Sequence, residues 1–94
     1  MNIVDFIGCG KPNAVTRKTL CQITGLSDRA VRQEVENARH RGNIILNNQS
    51  GIGYYMTADI DEIERQYHTN DRRAKSILHY QKPLRQALKA AGRL

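Results

Sequence analysis

Nowhere does this chain carry an apolar run long enough to cross a membrane. Its longest uninterrupted aliphatic stretch is Ile44-Ile45-Leu46, far short of the roughly 20 residues a spanning helix needs. Asp5 stands where a secretory leader would place basic residues, so no signal peptide is read, and a cytosolic location is expected. Cysteine is scarce as well. Cys9 and Cys21 lie twelve apart without CxxC spacing, and with only three dispersed histidines they assemble no familiar zinc pattern. They read as buried or inert thiols, and neither metal nor cofactor is expected. Aromatics are few: tryptophan is absent, and Phe6 and four tyrosines have places in the core, the hairpin and the helical seam described below. That leaves no stacking platform for single-stranded RNA. No nucleophile with a base, no metal set and no cofactor loop can be assembled, so an enzyme is not expected. Gly8-Cys9-Gly10-Lys11 echoes a phosphate loop but lacks the GxxxxGK[ST] spacing, and no buried strand precedes it.

Acidic residues are also in deficit, nine against fifteen Lys and Arg, for a net charge of +6 over 94 residues. Lys11 to Arg41 holds seven basic and three acidic residues, and Asp71 to Leu94 holds seven and one. Between these stretches Asp59, Asp61, Glu62 and Glu64 face only Arg65. Two basic regions around one acidic segment suit a polyanionic partner. A chain this short builds a limited core, so a partner subunit would stabilise it.

Ile3, Phe6 and Ile7 follow i, i+3, i+4 spacing, which predicts a short first helix over Asn2 to Gly8, closed by the loop Gly8 to Pro12. The segment Thr16 to Gly42 then encodes two helices with almost no loop between them. Val15 and Thr16 occupy the N′ and N-cap positions of one, with Leu20 at N4; Leu26, Ser27 and Val31 repeat the arrangement for the next. Gly25 can take the left-handed conformation that ends the first helix. Asn43 to Leu46 is β-branched and apolar, Asn47 to Gly51 is turn-forming and Gly53 to Met56 is aromatic-rich, which predicts a β-hairpin. Three helices followed by a hairpin are the layout of a winged helix-turn-helix, here residues 1–58.

Residues 59–94 read as a long C-terminal helix, making the fold class mainly α with a small β-hairpin. Asp59 and Glu62 have capping-box spacing, with the acidic residues placed favourably at a helix N-terminus. A heptad follows. Ile60, Tyr67, Ala74, Gln81 and Leu88 share one core position, and Ile63, Asn70, Ile77, Leu84 and Ala91 share the other. Pairing with a second copy is the economical way to cover that face, so a homodimer is expected through Ile60, Ile63, Tyr67, Ala74, Ile77 and Leu84, with Asn70 and Gln81 setting register. Pro83 predicts a kink, or a new helix from Lys82 onward, because its ring clashes with the His79 carbonyl. Lys75, Lys82 and Lys89 lie along one line.

On the helix Asp28 to Arg41, Val31, Val35 and Ala38 share the apolar face. Arg29, Gln33, Glu36, Asn37 and His40 lie opposite, flanked by Arg32 and Arg39. Arg matches the acceptor edge of guanine and Gln or Asn that of adenine, so Arg29, Gln33 and Asn37 are the candidates for base readout. Arg17, Lys18, Ser27, Arg32, Arg39 and Arg41 are the candidates for phosphate contact. A plain i,i+4 ion pair of Arg32 with Glu36 is the competing explanation for Arg32. Asn48, Gln49 and Ser50 form the tip of the wing.

Thr24 to Thr57 resembles the N-terminal winged helix of the biotin-operon repressor family in its Gly-apolar-Ser turn, its helix ending in Arg-x-x-Gly and its G-x-G-Tyr strand, Gly51 to Tyr54. It is similar also to small phage and mobile-element winged-helix proteins that continue into a basic helix. The resemblance implies double-stranded DNA binding through Ser27 to Arg41. It does not extend to a ligase domain, so neither biotin nor catalysis is implied. Asn47 to Ser50 hold no Lys or Arg, unlike a wing that inserts a charged side chain into the minor groove. The expected function is sequence-specific DNA binding by a small homodimer, a transcriptional regulator or phage-type accessory factor with no evident small-molecule ligand. The rival is a protein-interaction module of a replication or partition assembly with weak DNA contact.

Overall fold

A computed structural model describes residues 2–47 and 53–94. The expected wing tip, Asn48, Gln49 and Ser50, lies outside the described residues. Among the described residues three α-helices and one antiparallel hairpin make the fold mainly α: α1 (Arg17–Thr24), α2 (Asp28–His40), β1 (Ile45–Asn47), β2 (Tyr54–Met56) and α3 (Ile60–Ala90). The chain divides into two compact units, Met1–Ile63 and Glu64–Leu94. Among the described residues no helix is long and apolar enough to cross a membrane.

The first element departs from the sequence expectation. Instead of an α-helix over Asn2 to Gly8 there is one 3-10 turn, Ile3–Phe6, capped by the Asn2 side chain, which accepts from the Val4 N–H at 3.1 Å. The Ile7 N–H closes onto the Val4 carbonyl at 3.1 Å, an i to i+3 bond. So short a segment cannot repay the nucleation cost of an α-helix, and the tighter turn still buries Ile3 and Ile7.

The helix pair forms as its caps predict. The Thr16 hydroxyl accepts from the Thr19 N–H at 3.0 Å, and the Ser27 hydroxyl accepts from the Ala30 N–H at 3.1 Å. Gly25 sits at φ 73°, ψ 5°, where its N–H donates to the Cys21 carbonyl and ends α1; a side chain there would be strained. Thr24 locks the same corner, donating its hydroxyl to the Leu20 carbonyl at 2.6 Å and accepting from the Leu26 N–H at 3.2 Å. Leu20, Val31, Val35 and Ala38 then meet in the core with Ile3, Ile7, Ile45 and Tyr54.

In the hairpin Ile45 pairs with Met56, Leu46 with Tyr55 and Asn47 with Tyr54. The opposite edge of β2 is paired too, which the sequence did not announce. Val15 and Tyr54 exchange both backbone hydrogen bonds, at 2.9 and 2.8 Å; Gly10 donates to the Met56 carbonyl at 2.8 Å, and the Met56 N–H donates to the Gly8 carbonyl at 2.9 Å. The loop Gly8 to Pro12 therefore closes a sheet edge. Gly53 lies so close to this seam that a Cβ there would meet the Val15 carbonyl oxygen at 2.5 Å.

Asp59 caps α3 by accepting from the Asp61 and Glu62 N–H groups at 2.9 and 3.3 Å. The reciprocal half of the expected capping box does not form. The Asp59 N–H is taken by the Thr57 hydroxyl at 3.0 Å, and the Glu62 carboxylate accepts instead from the Tyr55 hydroxyl at 2.7 Å. Nor does Pro83 start a new helix: α3 continues through it to Ala90. Proline removes only one donor, and the flanking turns carry the helix across the gap.

Candidate nucleic-acid interface

The geometry of α2 follows from its two faces. Val31, Val35 and Ala38 are buried, so the helix is held with its other side in solvent. Arg29, Arg32 and Gln33 are exposed and Asn37 is half-buried. These are the side chains chosen for base readout, joined by Arg32, and the fold presents them together along one helix face. Gln33 donates from Nε2 to Asn37 Oδ1 at 3.0 Å. That bond orients both amides and leaves Gln33 with an acceptor and a donor facing outward, the pair that adenine requires. Arg29 has no ion-pair partner among the described residues, and its guanidinium keeps its full set of donors.

The candidate phosphate residues divide. Arg32 pairs with Asp28, not with Glu36: its Nη2 lies 3.2 Å from Asp28 Oδ2. The other carboxylate oxygen lies 3.2 Å from Arg17 Nε. One aspartate thus clips the start of α1 to the start of α2 while sitting favourably in the first turn of α2. With side chains 47 to 57% exposed, these pairs are screened and weak. Arg17 and Arg32 therefore share one counter-charge. Glu36 is occupied by Arg39 at 3.8 Å and by His40 at 3.5 Å.

Arg39 has a task no helical projection could show. Its Nε donates to the Ile45 carbonyl at 3.0 Å, and its guanidinium lies 5.8 Å from the centre of the Tyr54 ring. It ties α2 to both hairpin strands and stays partly exposed. Asn43 adds a second tie, donating from Nδ2 to the Ala38 carbonyl at 2.9 Å. Lys18 and Arg41 are exposed and have no ion pair among the described residues. The Ser27 oxygen is used as a cap, which leaves its hydroxyl hydrogen available.

Arg17, Lys18, Asp28, Asn47 and Tyr54 line an open cleft of about 580 Å³ where α1 and α2 begin, β1 ends and β2 begins. Asn47 and Asp28 were not among the residues expected to matter. The Asp28 to Arg32 spacing was visible as an i,i+4 pair, whereas the approach of Arg17 to Asp28 and of Asn47 to α1 exists only once the chain is folded. Cys21 packs half-buried against the core and Cys9 is exposed, so of the two thiols expected to be buried or inert neither is fully buried; both are free. Comparison of the chain with protein families, curated proteins and solved structures finds no match.

Proposed function

We propose that this chain is a winged helix-turn-helix protein that binds double-stranded DNA sequence-specifically as a homodimer, in the role of a transcriptional regulator or phage-type accessory factor. The carrying observation is the outer face of α2. An arginine without an ion-pair partner among the described residues stands beside an oriented Gln33–Asn37 amide pair. The helix beneath it is held at both ends, by the Ser27 cap and by the Arg39 tie to β1. A rigid helix bearing Arg and amide groups at its N-terminal half is suited to reading base edges in a major groove. The net charge of +6 supplies the attraction to phosphate. In this reading Arg29, Gln33 and Asn37 face bases, and Arg17, Lys18, Ser27, Arg32 and Arg41 face phosphates.

Selection of the purified protein against a random duplex library near physiological salt tests the proposal. Enrichment of an inverted repeat is the expected result, and a pool without any enriched sequence would overturn it. A second reading, a protein-interaction module with weak DNA contact, draws support from the partial neutralisation of Arg17 and Arg32 by the one Asp28 carboxylate and from a wing sequence without Lys or Arg. It predicts a DNA affinity nearly flat in salt, whereas contact with several phosphates must release counterions and fall steeply.

A further inference from the structure

The unit Glu64–Leu94 has large apolar side chains that nothing within it covers. Tyr67, Ile77, Leu78, Tyr80 and Leu84 are each more than half exposed, and α3 buries no residue. An apolar stripe of this length, interrupted only by Asn70 and Gln81 at its core positions, on an otherwise charged helix suits a contact surface. The distribution of charge along the helix says what covers it. Residues 59–71 carry five acidic side chains and one basic, and residues 72–94 carry seven basic side chains and no acidic one. Two such helices side by side in parallel stack acid on acid and base on base. Reversed, each acidic end lies along the other's basic end.

We infer that α3 pairs with α3 of a second copy in antiparallel orientation, with Ala74 and Ile77 at the centre of the seam. The inference deepens the homodimer reading above and rests on it. In this register Ala74 packs on the partner's Ile77, Asn70 on the partner's Gln81 and Tyr67 on the partner's Leu84. The two central layers then set the small Ala74 against the larger Ile77. The parallel arrangement sets Ala74 on its own copy and leaves a hollow there. Asn70 is already oriented, because its Oδ1 accepts from Gln66 Nε2 at 2.8 Å; its amide hydrogens remain for the partner's Gln81. Along the flanks Glu64 meets the partner's Arg85, and Arg73 meets the ring of the partner's Tyr80. A parallel heptad instead sets Arg85 beside Tyr80 and Arg73 beside Leu78, with no opposite charges across the seam. Pro83 falls on the outer side of the pair. The His79 carbonyl it leaves unbonded lies on that side too, where water can satisfy it.

Cysteine cross-linking of the full chain, in a Cys9→Ser, Cys21→Ala background, tests the orientation. Tyr67→Cys and Leu84→Cys variants are oxidised separately and as a mixture. The antiparallel seam predicts a disulfide dimer only in the mixture, joining one variant to the other. Self-linked dimers of each variant alone would overturn it in favour of a parallel pair. Sedimentation of the unsubstituted chain covers the case in which no link forms: a monomer, or a dimer that links at neither position, also overturns the inference. Glu64→Arg and Arg85→Glu should each weaken the dimer about fivefold, and the two together should restore it. The DNA reading fails separately. A monomer that still selects a half-site removes this seam and keeps the reader, while mixed-variant cross-linking with no selected DNA removes the reader and keeps the seam.

Discussion

The units Met1–Ile63 and Glu64–Leu94 both hold regular helix, yet they use their apolar residues in opposite ways. In the first, Leu20, Val31, Val35 and Ala38 reach 0 to 1% exposure because two short helices, a 3-10 turn and a hairpin converge on them. In the second, Ile77 and Leu84 remain 56 and 58% exposed along one long helix. A short amphipathic helix that turns back on a neighbour finds its cover within the chain. A long one presents its stripe faster than a small domain can cover it. The same periodicity thus yields a core in one place and an exposed stripe in the other.

The comparison can be broken from the largest effect downward. Leu20→Ala should cost the first unit about 2 to 5 kcal/mol through lost burial and a cavity, read as a fall in the denaturation midpoint. Leu84→Ala should leave that midpoint unchanged in dilute solution and weaken association instead; an equal loss in both would erase the distinction. Gly53→Ala pushes a methyl group to 2.5 Å from the Val15 carbonyl oxygen and must part β2 from Val15. A loss of about 1 to 3 kcal/mol is expected, and a neutral outcome would mean that this seam is not tight. Arg29→Ala should leave stability untouched and lose about 1 to 3 kcal/mol of discrimination at one base pair; unchanged affinity for the best site would remove Arg29 from the reading face. Asp28→Asn should change stability by less than about 1 kcal/mol, since both its ion pairs are exposed. It would free Arg17 and Arg32, so DNA affinity should rise at low salt and fall more steeply as salt is added. An unchanged salt slope would take both arginines off the phosphate path.

Caps and faces were legible from the residues. Thr16 and Ser27 cap the helices their spacing announced, Gly25 takes the left-handed turn, and the buried side of α2 is the one its apolar spacing selected. These are local matters, settled within one or two turns of chain. Less legible were partners drawn from several candidates. Arg32 had carboxylates at i−4 and i+4 and took Asp28, which Arg17 also holds in place. Glu62 was placed to complete a capping box and accepts from Tyr55 instead, because the hairpin brings a hydroxyl within 2.7 Å while Thr57 satisfies the Asp59 N–H.

By itself, then, the sequence determined the N-caps of α1 and α2, the sharp turn between them, the presence of the hairpin and the apolar stripe of α3. Each is decided by backbone preference and side-chain periodicity over a few neighbouring residues. Only the tertiary structure decided that the loop Gly8 to Pro12 and Val15 would close the far edge of β2, that Arg39 would serve the hairpin, and that Asp28 would hold two arginines. Those outcomes join residues far apart in the chain or choose among equivalent local partners. Such choices fall to whichever group the packed core brings within hydrogen-bonding distance.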